Sequence, residues 1–179
     1  MVVWPFKGED IQTLSEALEI SEDRTGNHFK FSFGQWKRHR YEVKTLMHLK
    51  KHEIVPETFA CLNKCSIVPK EFEFRTKGRD FYRICLQDDQ ILKAVQRDRN
   101  TCLISLLVYV LTHELVHIVR FCSFNQRFDV RAEGRDREER IVHRTTYEIL
   151  RDLSLPHMDH ILESYSNHRA CNVIQTTMM

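Results

Sequence analysis

Residues 102–121 read CLISLLVYVLTHELVHIVRF, and this stretch decides how the rest of the chain is read. It is apolar on every side of a helical wheel, the pattern of a helix buried all round. Apart from Ser105 and Thr112, only His113, Glu114, His117 and Arg120 interrupt it. Polar side chains in a core helix are costly unless something holds them there. Residues four apart on a helix stack on one face, so His113 and His117 present two imidazoles to one point, at the reach a tetrahedral metal wants. Glu114 lies about 100° further round, beside the metal and not on it. HExxH on a helix is the zinc hydrolase arrangement, with the glutamate as general base. A chance HExxH would favour a solvated face, whereas this one lies in the most apolar helix of the chain.

Two histidines do not complete a zinc site. The extended form HExxHxxGxxH is excluded, because Arg120 stands where its glycine would be and Ser123 where its third histidine would be. The remaining source is an acid on a following helix. Residues 135–153, RDREERIVHRTTYEILRDL, offer Glu138 and Glu139. Ile141, Val142, Ile149, Leu150 and Leu153 define the packing face of that helix, and Glu138 falls nearer its centre because 138, 142, 145 and 149 stack in one row. Glu138 is the first choice for the third ligand and Glu139 the alternative. A competing reading puts both acids on a solvated edge among Arg135, Arg137, Arg140 and Arg144.

With these pieces in place the chain resembles a small gluzincin, the zinc metallopeptidases in which HExxH is completed by a glutamate on a downstream helix. His113, Glu114 and His117 match, and DREER at 136–140 is similar to the Glu-x-Glu-Ala-Asp/Asn pattern of several such families. The second acid is the ligand in that pattern, which again selects Glu138, although Glu139-Arg140 replaces the family's Ala-Asp or Ala-Asn. The resemblance runs from the apolar helix to Leu153. It implies a zincin-like fold: a small twisted sheet packed on the HExxH helix, then a second, ligand-bearing helix. It also implies Zn²⁺ on His113, His117 and Glu138, with Glu114 as base and a peptide or protein as substrate. FYRICLQ (81–87) is placed by resemblance as the edge strand that pairs with an extended substrate. The reading from another class is a zinc-stabilised regulatory or binding module without hydrolysis. A latent peptidase covered by its own tail would look the same in sequence. A closed structural site uses four protein ligands, usually thiolates, and a convincing fourth is missing here.

Outside the motif the chain is ordinary. With 179 residues, 42% of them hydrophobic and 29% charged, it suits one domain with a real core. A net charge of +2 gives no push toward nucleic acid or membrane. The N-terminus meets charge at Lys7, too early for a secretory signal, and Leu103 to Leu111 is too short for a bilayer. The expected location is therefore cytoplasmic, with the six cysteines reduced and buried.

The order of elements predicts an α+β fold in a single domain over 1–179. N-terminal helices and a hairpin fill about 1–98, the motif and ligand helices about 99–155, and a tail 156–179. Gly8–Glu22 has helical spacing closed by a DRTGN turn, and HFKFSF (28–33) alternates like a strand. Residues 35–52 form a basic, helix-compatible run. EFEFRT (71–76), a KGRD turn and FYRICLQ read as a β-hairpin. Asp98–Asn100 can cap the apolar helix, and the tail holds one short helix and then a fraying polar end.

Several further residues are candidates for single tasks. His143, at the edge of the second helix's core face, can donate to an oxyanion or to a ligand, and Tyr147, His157, His160 and Tyr165 compete for that oxyanion task. Cys61 and Cys65 with His48 or His52 could form a second metal site, but buried thiols are the favoured reading. The basic run at 35–52 could touch phosphates, though a solvated face is favoured there too. Oligomeric state is not written in the sequence.

Overall fold

The computed structural model describes residues 4–38, 40–66, 80–123, 132–165 and 174–176. Its elements are α1 (Gly8–Phe29), α2 (Phe33–Arg38), β1 (Tyr41–Lys44), two short 3₁₀ turns, β2 (Ala60–Ser66), β3 (Asp80–Leu86), α3 (Asp88–Arg97), α4 (Leu103–Cys122), α5 (Ala132–Leu150), α6 (Met158–Tyr165) and β4 (Ile174–Thr176). The fold is α+β, with a four-stranded sheet ordered β1-β3-β2-β4.

The apolar stretch forms α4, and every residue from Ser105 to Val119 is buried. By length and composition α4 could cross a membrane, yet most of it is enclosed by the protein itself. α1 supplies its broadest cover. Leu14, Ala17, Ser21 and Thr25 recur at helical spacing and are buried, and the small side chains of Ala17 and Ser21 let the two helices approach closely. The Ser21 hydroxyl bonds both to the Ala17 carbonyl (2.7 Å) and to the Val108 carbonyl of α4 (3.2 Å). The sheet covers another side. Ala60, Leu62, Tyr82, Ile84 and Leu86 join the same core as α4, and Tyr82 stacks on Phe121.

Polar staples tie the N-terminal half to the sheet. The Asp88 carboxylate accepts from the Phe6 amide (2.9 Å) and the Leu46 amide (3.1 Å). Gln87 donates to the carbonyls of Glu53 (3.0 Å) and Cys85 (3.2 Å) and accepts from the Val55 amide (3.1 Å). Arg83 bridges Glu42 and Glu53.

Several expectations fail, each for a tertiary reason. α1 runs through the DRTGN cluster to Phe29, because Thr25 and Gly26 are buried there and Gly26 passes against the Trp36 indole. The predicted strand at 28–33 is instead the end of α1, with Lys30 left-handed at its cap, and the start of α2. The 35–52 run splits into α2, β1 and 3₁₀ turns, because Tyr41 to Lys44 pair in parallel with Tyr82 to Cys85. Asp98 binds the Asn100 amide and Thr101 rather than capping α4, which begins at Leu103 without a side-chain cap. α3 was not foreseen. FYRICLQ does form a strand, but β3 is internal, flanked by β1 and β2, so it presents no free edge. The first strand of the predicted hairpin lies outside the described residues. Near the end, Ile174–Thr176 form β4 and pair in parallel with Leu62–Lys64, while the rest of the end expected to fray lies outside the described residues.

The close approach of α1 to α4 is testable. Ala17→Leu should overpack that interface and lower stability by about 1–3 kcal/mol in urea unfolding. An unchanged midpoint would mean the helices have room that the contact at Ser21 denies.

Candidate metal centre

α4 carries Tyr109, His113 and His117 at four-residue steps, one face of one helix. α5 answers with Glu139 and His143, also four apart. His113 and His117 are 0% exposed and Glu114 is 1%. Glu139 reaches both imidazoles: His113 Nε2 lies 3.3 Å from Glu139 Oε2, and His117 Nε2 lies 3.3 Å from Glu139 Oε1. His113, Glu139 and His143 form a buried group whose donor atoms all lie within 4.8 Å of one another and could hold a metal ion.

Glu138, the sequence's first choice, is not at this centre. Its carboxylate binds Arg120 through two bonds, from Nε (2.6 Å) and from Nη2 (2.8 Å). The alternative, Glu139, is the acid that meets the histidines. Aliphatic residues alone do not define the buried face of α5. Thr146 (0% exposed) and His143 are buried as well, and including them turns the face toward Glu139. A second signal stood in the sequence: Arg120 follows His117 by three residues on the same face and needs an acid.

The 3.3 Å contacts of both Nε2 atoms with Glu139 are ion-pair distances, and among the described residues Nδ1 of His113 and of His117 and Glu114 Oε1 are buried without a hydrogen-bond partner. Leaving such groups unpaired costs about 1–3 kcal/mol each. His113, Glu139 and His143 are the donors that lie close enough together to hold a metal ion, and His117 stands beside them through its 3.3 Å contact with Glu139. The donor set, two nitrogens and one carboxylate, suits zinc among other first-row ions.

The electrostatics follow from burial and from the sharing of one carboxylate. Burial holds His113 down at about 4 and pushes Glu114 up to about 8. Burial also opposes charge on His117, but the Glu139 carboxylate outweighs it and raises that imidazole's pKa. The two histidines diverge because Glu114 and Glu138 also raise His117, whereas the neighbouring His117 and His143 imidazoles lower His113. For Glu139 burial pushes upward, and the imidazoles, His117 foremost, hold it below the usual carboxylate range.

The other candidates separate cleanly. Tyr147 and His157 are exposed, and His160 pairs with Asp98 at 2.6 Å. Tyr165 comes near through its main-chain carbonyl, which accepts from the Tyr109 hydroxyl at 2.9 Å. His143 is the one oxyanion candidate whose side chain reaches the centre. Cys61 and Cys65 are buried while His48 and His52 are exposed, so that second metal site does not assemble. Cys61 instead faces Cys85 across the β2–β3 ladder, and the described cysteines are free thiols. Comparison with family models, with curated proteins and with solved structures returns no match for this chain.

Two outcomes follow from this geometry. Glu139→Gln should cost metal affinity at least tenfold, while Glu138→Gln should leave affinity near wild type and instead lower stability by on the order of 2 kcal/mol, since Arg120 loses its charged partner. Chelator competition and urea unfolding separate the two, and a larger affinity loss at Glu138 would return the ligand to that position.

In the metal-free protein, Glu114 holds a proton up to about pH 8, while the unfolded chain releases it near 4.5. Between those values the folded state binds the extra proton, so this group's contribution to stability falls as pH rises, by up to about 1.4 kcal/mol per pH unit. The stability of Glu114→Gln relative to wild type, measured with chelator present, should therefore grow from pH 5 to pH 8. Parallel pH profiles would refute the burial assigned to this carboxyl.

Proposed function

We propose that the chain is a zinc-dependent hydrolase of the zincin type acting on peptide bonds, with His113, His117 and Glu139 as metal ligands and Glu114 as general base. The observation that carries this reading is the buried meeting of the Glu139 carboxylate with the Nε2 atoms of His113 and His117 at 3.3 Å each, with Glu114 Oε1 buried without a hydrogen-bond partner one residue along α4. A bound zinc ion supplies Lewis acidity, polarising a carbonyl oxygen and lowering the pKa of water.

The chain's own groups supply the proton transfers. Glu114 takes a proton from the attacking water as its oxygen bonds to the carbonyl carbon, then delivers that proton to the amine nitrogen as the carbon–nitrogen bond breaks. Burial alone keeps Glu114 protonated up to about 8, and a divalent cation beside it favours the ionised form that a base requires. Glu139, held anionic by the imidazoles, offsets the cation's charge.

A second reading, a zinc-stabilised module without hydrolysis, is favoured by the depth of the centre and by the presence of His143 in the donor group. Glu114 separates the two, because a purely structural site has no use for a base.

The purified protein should bind about one Zn²⁺ per chain. Glu114→Gln, nearly isosteric, should keep that metal and lower cleavage of a peptide library by about 10²–10⁴-fold. Cleavage that persists in the variant at equal zinc content, or none from zinc-loaded wild type, would displace the hydrolase reading. Failure of wild type to bind zinc at all would remove both readings.

A further inference from the structure

The sheet ends on two outer strands. β4 covers the outer side of β2, and β1 stands at the opposite end with β3 as its one strand neighbour among the described residues. The Tyr82 amide donates to the Arg40 carbonyl at 3.1 Å, and Tyr41 is the parallel partner of Tyr82. In such a ladder alternate residues turn their main-chain groups to opposite sides of the strand. Arg40, Glu42 and Lys44 therefore turn theirs toward β3, and Tyr41 and Val43 turn theirs outward. Among the described residues no strand takes up these outward N–H and C=O groups. An open edge of this kind is a template for another chain.

Beside that edge lies a groove of about 420 Å³. Leu18 and Glu22, four apart on α1, line one side of it, and Tyr41 and Val43, two apart on β1, line the other. The Trp36 ring meets the Tyr41 ring at 6.0 Å between centroids and 64° between planes, so the two rings form a corner in the groove. The Tyr41 hydroxyl donates to Glu22 Oε1. Among the described residues no cation pairs with Glu22. Arg40 stays exposed at the rim, and Glu42 is engaged by Arg83 and Lys44. A half-buried carboxylate beside two aromatic rings complements a cation, because ring faces and acid both attract positive charge.

We propose that the outer edge of β1 binds an extended peptide as a further strand, with a lysine or arginine side chain of that peptide lodged in the groove against Glu22, Trp36 and Tyr41. Main-chain bonds to Tyr41 and Val43 supply affinity whatever the peptide's sequence, and the groove supplies the choice of side chain. On a strand laid beside β1 every second side chain falls on the groove's side of the sheet, so one cation there fixes the register. The site lies at the opposite end of the sheet from β4 and asks nothing of the metal centre.

The test screens a positional library of short linear peptides against the full chain, once with zinc and once with chelator. Binding should select Lys or Arg at one position and be equal in both conditions. Glu22→Gln keeps an acceptor for the Tyr41 hydroxyl, and it should weaken a selected lysine peptide about tenfold while leaving the weaker norleucine counterpart unchanged. Val43→Pro removes one outward N–H at an edge position, where proline is tolerated, and should weaken both peptides by about tenfold or more. Should that variant fail to fold, N-methylated peptides replace it. Methyl groups on alternate main-chain nitrogens should abolish binding in one phase and spare it in the other. No preference for a cation, an unchanged lysine-peptide affinity in Glu22→Gln, or indifference to N-methylation in both phases would overturn the proposal. So would selection that needs zinc, which assigns the peptide to the metal centre. A dimer in sedimentation that Val43→Pro dissolves would give the edge to a second copy of the chain and overturn it as well. Absence of zinc binding with peptide selection intact brings down the metal reading and leaves this one standing.

Discussion

Glu139 stands 3.3 Å from the Nε2 atoms of two imidazoles that have no exposure to solvent, and the rest of the structure is arranged around that meeting. Burying ionisable groups is unfavourable unless each finds a partner. The histidines sit mid-helix on α4, so the helix must be enclosed on all sides, which α1, the sheet, α5 and α6 accomplish. Enclosure then removes water from the centre and produces the shifts at His113, Glu114 and His117. An apolar helix with the same cover would be more stable by ordinary reasoning. What the retained cluster offers in return is a buried donor group, His113, Glu139 and His143, that could hold a metal ion.

Much of this was legible at the level of α4. Its even apolar distribution announced a buried helix, and the four-residue spacing of His113 and His117 put both rings on one face. The α+β class followed from the order of elements. Legibility failed where tertiary contacts override local pattern. DRTGN looks like a turn, yet burial of Thr25 and Gly26 against their neighbours carries α1 onward. Residues 41–44 sit in a basic run that reads as helix, and pairing with β3 makes them a strand. Long-range polar staples such as Asp88 to Phe6 and Leu46 have no local signature at all.

The choice between Glu138 and Glu139, left open by the sequence, turns on helix register, because adjacent residues on a helix differ by about 100° and only the facing helix can choose between them. Arg120 makes that choice. It lies on the same side of α4 as His117, one turn on, and holds Glu138 by two charge-assisted bonds. With Glu138 fixed there, α5 cannot rotate without breaking a bidentate pair, and Glu139 is left facing the imidazoles. His143 follows at the next turn and meets Tyr109, which lies one turn before His113. Two ladders with four-residue steps, 109–113–117 on α4 and 139–143 on α5, thus run against each other with Arg120–Glu138 as the pin at one end and Tyr109–His143 as the pin at the other. The donors between the pins need no loop to position them. Such a centre is specified by helix register alone, so a change that rotates α5 should disturb every donor on it together.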